Sequence, residues 1–272
     1  LEKLLNLKAK RIQLFNVTID DISSNNDVDN LSERFCDSLS LGSRPAFTLQ
    51  KVLEQNIGVK ILFETIPEGS AISTFSNEFG AVIVINSDEA PWRRNYDLAH
   101  ELFHLVTWKI VSEKDLKDQN FFADIEKKAD RFASILLLPE KEVRKEIADR
   151  IEIQKEFTYS DLVDIAREFG VSTKALLYRM ANLRFIKWED ADKRAKDREL
   201  TEISRQKRRH EWGERPRSER FTSLAVRCLR KGLISRGKFA EMVGIDRSEI
   251  DDFIENTGLM ELEGTPIEIM AS

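Results

Sequence analysis

At 272 residues and 41% hydrophobic side chains, the chain is long enough to bury a sizeable core and to hold two modest domains. A formal charge of -5 supplies no global attraction for nucleic acid, so DNA contact would have to come from a local face. No run of about 18 apolar residues spans a bilayer, LEKLLNLKAKRIQLF at the start lacks the features of a secretory signal, and the two cysteines, Cys36 and Cys228, have no CxxC spacing. Membrane insertion, a disulfide framework and a thiolate zinc site are therefore not expected, and a cytoplasmic location is. The chain begins with Leu rather than Met, as a fragment or a processed product does.

Residues 1–30 open on a leucine-containing helical pattern and pass into IDDISSNNDVDN, a stretch of turn formers that reads as a lead-in. LSERFCDSLSL (31–41) and FTLQKVLEQN (47–56) have helical periodicity and are parted by Gly42 and Pro45. The pattern then changes to VKILFETI (59–66), AISTFSN (71–77) and GAVIVINS (80–87), rich in β-branched and aromatic residues, which predicts a small antiparallel sheet. Ser87 and Asp88 are the expected caps of a helix with Pro91 in its first turn that runs through Trp108. After the polar loop SEKDLKDQN, FFADIEKKADRFASILLLP reads as an amphipathic helix stopped by Pro139.

The remaining sequence is helical. DIAREFGVSTKAL (164–176) and KFAEMVGIDRSEI (238–250) echo one another, each with a helix ending at Gly170 or Gly244 and a new one capped by Ser172 or Asp246. Such helix-turn-helix units serve either DNA binding or plain packing. Between them, residues 187–220 hold 12 Lys or Arg and 9 Asp or Glu; the acids cancel most of the charge, so a solvated helix outweighs a basic binding segment around RQKRRH.

Chemistry is concentrated in HELFH. His100 and His104 lie i and i+4 on one helix face, within reach of a single ion, and zinc accepts imidazole nitrogen in a tetrahedral site that leaves two positions to fill. Glu101, on the adjoining side of the same turn, is placed to accept a proton from the attacking water and pass it to a leaving amine. EKKAD brings a second i, i+4 pair, Glu126 and Asp130. One of these carboxylates completes the ligand set, with water in the fourth position, while the other orients an imidazole by accepting its N–H. A buried structural histidine pair and a surface salt-bridged carboxylate pair are the plain alternatives.

LAHELFH (98–104) followed by EKKADRFASILLLP (126–139) resembles the ImmA/IrrE family of zinc metallopeptidases, whose pattern is HExxH and then E-x-x-A-(N/D)-x-F-A with an LL-x-P ending. GAVIVIN, RRNYDLAHE and LVDIAREFGVSTKALLYRMANL are similar as well, so the likeness spans residues 31–185. It implies that Glu126 is the third zinc ligand and that Asp130, four residues on, supports the first histidine. It also implies an endopeptidase acting on one regulatory protein, typically a helix-turn-helix DNA-binding repressor of stress or mobile-element genes. Two departures stand out. No helix-turn-helix of the lambda-repressor type precedes residue 31, and the 21 residues between His104 and Glu126 form a rather polar insertion.

The expected fold is α+β and mostly helical, a zincin-like domain with a small antiparallel sheet followed by helix-turn-helix-like units. The expected divisions are a lead-in (1–30), a metallopeptidase domain (31–150), a helix-turn-helix-like unit (151–186), a charged helical linker (187–220) and a C-terminal helical subdomain (221–272). Strand 71–77 is the candidate edge for an extended substrate. Tyr96, Tyr159 and Tyr178 are candidate oxyanion donors, none assigned as catalytic, and His210 is far away in sequence. The rival reading is a non-proteolytic transcriptional regulator that keeps the zinc fold as a sensing or protein-binding module and uses the helix-turn-helix units on DNA.

Overall fold

The computed structural model describes residues 1–7, 16–76, 78–111, 115, 117–213 and 215–258. Part of the helical pattern that opens residues 1–30 falls outside these residues, as do the end of strand 71–77, part of the loop after Trp108 and the last 14 residues. The chain divides into two compact units, one of residues 11–216 and one of residues 1–10 with 217–272. The fold is α+β, mostly helical with one three-stranded sheet.

In the larger unit the polar stretch before residue 31 is not a plain turn region. Ile19–Ile22 forms a 3-10 turn and α1 runs Asn25–Ser38. Their N-termini are closed by capping boxes, Thr18 with Asp21 and Ser24 with Asp27. The Ser and Asp residues that look like loop composition are satisfying first-turn N–H groups. A 3-10 turn at Pro45–Phe47 leads into α2 (Leu49–Val52), which widens into a π turn at Leu53–Ile57 and stops at Gly58.

The sheet consists of β1 (Lys60–Glu64), β2 (Ala71–Ser76) and β3 (Gly80–Asn86) in the order β1-β3-β2. β2 and β3 form the expected antiparallel hairpin, but β1 pairs with β3 in parallel, Ile61 opposite Ile83. The sheet is mixed, not antiparallel. The link after β1 accounts for this: Asn86 at the end of β3 accepts from the Ile66 N–H and donates to the carbonyls of Ile66 and Gly69, so the chain crosses the end of β3 and returns along its far side. The expected caps Ser87 and Asp88 are also not used as such. Helix α3 (Pro91–Thr107) starts after Ala90 with Pro91 at its first position, where no N–H donor is needed, and the Arg94 guanidinium donates to the carbonyls of Ser87 and Glu89.

Helix α4 (Gln119–Leu137) begins at Asp118, whose carboxylate accepts from the N–H groups of Asn120 and Phe121. Pro139 ends it and opens α5 (Glu140–Gln154). Phe132 of α4 meets Phe35 of α1 and Phe103 of α3, ring centroids 5.5 and 5.6 Å apart. That cluster, with the buried face of β3 (Ala81, Ile83, Ile85), fixes α3 in the main core.

Next come α6 (Tyr159–Glu168) and α7 (Thr173–Asn182), joined through Gly170 at φ +65° and the cap Ser172, as the echo predicts. Helices α8 (Trp188–Ala195) and α9 (Arg198–Lys207) complete this unit. Along α7 only Lys174 is exposed, and the buried Arg179 donates to the Leu138 carbonyl. The smaller unit packs α10 (Glu219–Arg230), α11 (Arg236–Val243) and α12 (Ile250–Asn256) around Phe239, Val226 and Ile250. Its second echo has Gly244 at φ +68° and a capping box from Asp246 to Glu249. The exposed face of α12 carries Asp251, Asp252 and Glu255. Neither α7 nor α12 presents the exposed basic face that a groove-reading helix requires.

Candidate metal centre

The helix α3 is anchored by Leu98, Ala99, Leu102, Phe103 and Leu105, all 3% exposed or less. Periodicity then turns the opposite side of the same turns, His100 and His104, towards α4. Both helices cross the site with their i, i+4 pairs facing.

His100 Nε2 lies 3.3 Å from Glu126 Oε2, His104 Nε2 lies 3.2 Å from Glu126 Oε1, and the two Nε2 atoms are 3.1 Å apart. One donor atom from each residue falls within 4.8 Å of the others. Ligand atoms about 2 Å from a tetrahedral zinc sit roughly 3.3 Å from one another; the two Nε2 atoms and the Glu126 carboxylate approach on that scale, each nitrogen nearest a different carboxylate oxygen. Two imidazole nitrogens and one carboxylate oxygen are also the donor types zinc favours.

The other nitrogen of His100, Nδ1, is 3.1 Å from Asp130 Oδ1. A proton on Nδ1 donated to that carboxylate leaves the Nε2 lone pair free to face Glu126 and His104, the usual outer support of a ligand imidazole. Asp130 is itself held: the Tyr96 hydroxyl donates to its backbone carbonyl at 2.9 Å. Burial and the neighbouring Asp130 both push the Tyr96 phenol up, so it stays a donor.

The charges of the cluster are unequal. Burial pulls His100 down, but the hydrogen bond and negative charge of Asp130, with Glu126, hold it above the ordinary imidazole value. His104 is lowered to about 4 by burial and by the adjacent His100. A second proton is thus disfavoured where two lone pairs converge. Glu101, 9% exposed, is raised by burial against the opposing effect of a hydrogen bond with Ser73 of β2. Asp97, one turn earlier, is raised to about 6 by burial, with its Arg93 ion pair acting against the shift.

The structure therefore brings His100, His104, Glu126 and Asp130 together, with Glu101 on the adjoining side of α3 against β2. Tyr159 and Tyr178 bond Asp197 and Asp192 of the later helices, and the exposed His210 is not in the cluster. Of the candidate oxyanion donors, Tyr96, one i, i+4 step before His100, is the one that reaches the cluster, where its hydroxyl bonds Asp130. One other residue of the site, Ser73, carried no sequence signal, because only the packing of β2 on α3 brings it to Glu101.

A family model described as "Peptidase_M78: IrrE N-terminal-like domain" matches residues 54–181. Residues 54–181 belong to the ImmA/IrrE family. This IrrE-like segment runs from the π turn after α2 into α7 and contains all five residues named from HELFH and EKKAD. It is a metallopeptidase-family domain, and membership implies a metal cofactor, which the donor set fits. A Mycobacterium tuberculosis transcriptional regulator of known structure is similar at 17% identity with a TM-score of 0.39, over 60% of this chain and 49% of its own. No curated protein matches the chain.

Proposed function

We propose that this chain is a cytoplasmic zinc endopeptidase that cleaves one regulatory protein, a helix-turn-helix DNA-binding repressor, and so switches on stress or mobile-element genes. The observation that carries the peptidase reading is the convergence of His100, His104 and Glu126, with Glu101 beside them and facing β2. The choice of a repressor as substrate comes from the family resemblance. Both cysteines are free, and among the described residues no helix is long and apolar enough to cross a membrane.

His100, His104 and Glu126 would hold the zinc, and Asp130 would orient His100. Zinc, when bound, supplies Lewis-acid polarisation of the scissile carbonyl. Glu101 takes the proton of the attacking water and returns it to the leaving amine nitrogen, a role that its position beside the ligands, rather than among them, supports. β2 has β3 on one side only among the described residues, and Ile72 on it is 61% exposed. An extended substrate segment adding to that outer edge gains backbone hydrogen bonds and passes the side of α3 that carries Glu101.

Incubation of the protein and zinc with repressors encoded beside it, followed by intact-mass spectrometry, tests the reading. A single cleavage is expected, slowed between about 100- and 10,000-fold by Glu101→Gln without loss of bound metal. Relief of repression by wild type and Glu101→Gln alike, with no cleaved product, would sink it.

A further inference from the structure

Away from the histidine cluster, a cavity of about 790 Å³ opens beside the first turn of α3, bordered by α7 and α9. That is the size of a small-molecule site. Its wall contains Lys174, Arg205, Arg208 and Arg209 and no acidic residue. Arg205 is neutralised by Glu202 and Arg208 by Glu211, which also holds Arg167. Among the described residues, Lys174 and Arg209 have no carboxylate partner. Two uncompensated cations on one concave wall, in a chain whose net charge is -5, concentrate positive potential where a ligand would sit.

Two further features give the ligand its shape. The indoles of Trp92 and Trp212 meet edge to face, centroids 6.2 Å apart, with Trp212 57% exposed at the rim. Behind them, the guanidinium of Arg208, 3% exposed, lies 4.5 Å above Trp92, and its Nε–H has no hydrogen-bond partner. A planar, buried cation keeps the Trp92 ring fixed as a stacking surface. The N-terminus of α7 also enters the wall through Ser172, Thr173 and Lys174. Ser172 Oγ already accepts from the Ala175 N–H, and the N–H groups of Thr173 and Lys174, which have no intrahelical acceptor, favour an anion.

We propose that this cavity binds a nucleotide, with its base against Trp92 and Trp212 and its phosphate at Lys174, Arg209 and the first turn of α7. Indoles accept any flat heteroaromatic ring, so the base identity is left to weaker contacts, while the phosphate supplies charge-assisted hydrogen bonds. The concave wall fits a mononucleotide rather than a nucleic-acid strand, which needs a continuous groove.

The test uses the whole protein and reads binding, so it is independent of peptidase activity. Adenosine monophosphate, guanosine monophosphate, adenosine and inorganic phosphate are titrated by calorimetry and by tryptophan emission. Both mononucleotides are expected to bind and to shift the emission, and Trp212→Phe should remove most of the shift. Adenosine and phosphate alone should each bind at least about tenfold more weakly. Lys174→Ala and Arg209→Ala, both at exposed positions, should each weaken binding about tenfold or more. The proposal is overturned if neither mononucleotide binds at millimolar concentration, or if the two alanine variants bind like wild type. Adenosine or phosphate matching the mononucleotide, or a single-stranded oligonucleotide binding more tightly than it, also overturns it.

Discussion

Replacing Asp130 isolates the support of the metal site from the ligands themselves. Its carboxylate sits 3.1 Å from Nδ1 of His100 and its side chain is 61% exposed. Loss of such an outer hydrogen bond to a ligand imidazole costs about 10- to 100-fold in metal affinity, and solvent screening of so exposed a carboxylate favours the lower end. Asp130→Ala should therefore weaken zinc binding about tenfold, or ~1.4 kcal/mol. Asn retains an acceptor oxygen but not the charge, and a neutral hydrogen bond is about half as strong as a charge-assisted one. Asp130→Asn should thus lose roughly threefold. The backbone at 130 stays anchored because the Tyr96 hydroxyl bonds the carbonyl, not only the side chain. Competition against a zinc-binding chromophore measures all three proteins. Binding by Asp130→Ala within twofold of wild type would refute the orienting role, and a loss as complete as that in His100→Ala would make Asp130 a ligand.

Other outcomes are expected from the same structure. Purified protein should hold near-stoichiometric zinc that His100→Ala lacks, and zinc at about 100 times its Kd should add ~2.7 kcal/mol to the stability of the folded state, seen as a rise in Tm over chelator-treated protein. Gly170, at φ +65°, has Ala46 Cβ at 3.0 Å and Asn95 Nδ2 and Phe47 Cζ at 3.1 Å from where a Cβ would stand, whereas Gly42, at φ +74°, has open space. Gly170→Ala should cost about 2–4 kcal/mol and Gly42→Ala about 1 kcal/mol in urea unfolding; equal penalties would show that the crowding is relieved without cost. Burial opposes ionisation of Asp21, but its hydrogen bonds from Thr18 and Arg34 hold it below 3.8. A depressed carboxyl stabilises the fold above its unfolded value and loses that contribution as the pH falls through the folded one. Asp21→Asn should accordingly cost about 1 kcal/mol at pH 7, with the penalty shrinking as the pH falls below the ordinary carboxyl range and through the depressed folded value; a penalty independent of pH would mean that the carboxylate charge contributes nothing there.

Much of the site was legible because helix periodicity converts spacing into geometry. HELFH and EKKAD each put two polar groups on one face, and the apolar residues around them, Leu98, Leu102, Phe103 and then Ala129, Phe132 and Ala133, mark the faces that are buried. Once both helices join one core, the polar pairs have only each other to face. The capping pairs at Thr18 and Ser24 were equally visible, yet composition alone reads their Ser and Asp residues as a loop. The same residue types favour turns and helix starts for the same reason, an oxygen that bonds nearby N–H groups.

The sequence by itself determined what depends on short-range periodicity: the helices α3 and α4, the ligand-capable residues on them, the strands and the Gly170 and Gly244 turns. The tertiary structure alone decided what depends on which elements become neighbours. β1 runs parallel to β3 because Asn86 clamps the crossing link, which strand composition does not encode. Ser73 reaches Glu101 only through the packing of β2 on α3. Helix α7, whose pattern suits either DNA or a core, is buried by its surroundings. A single strand or helix sequence specifies its own faces, but the partner of each face is chosen by the burial of the whole core.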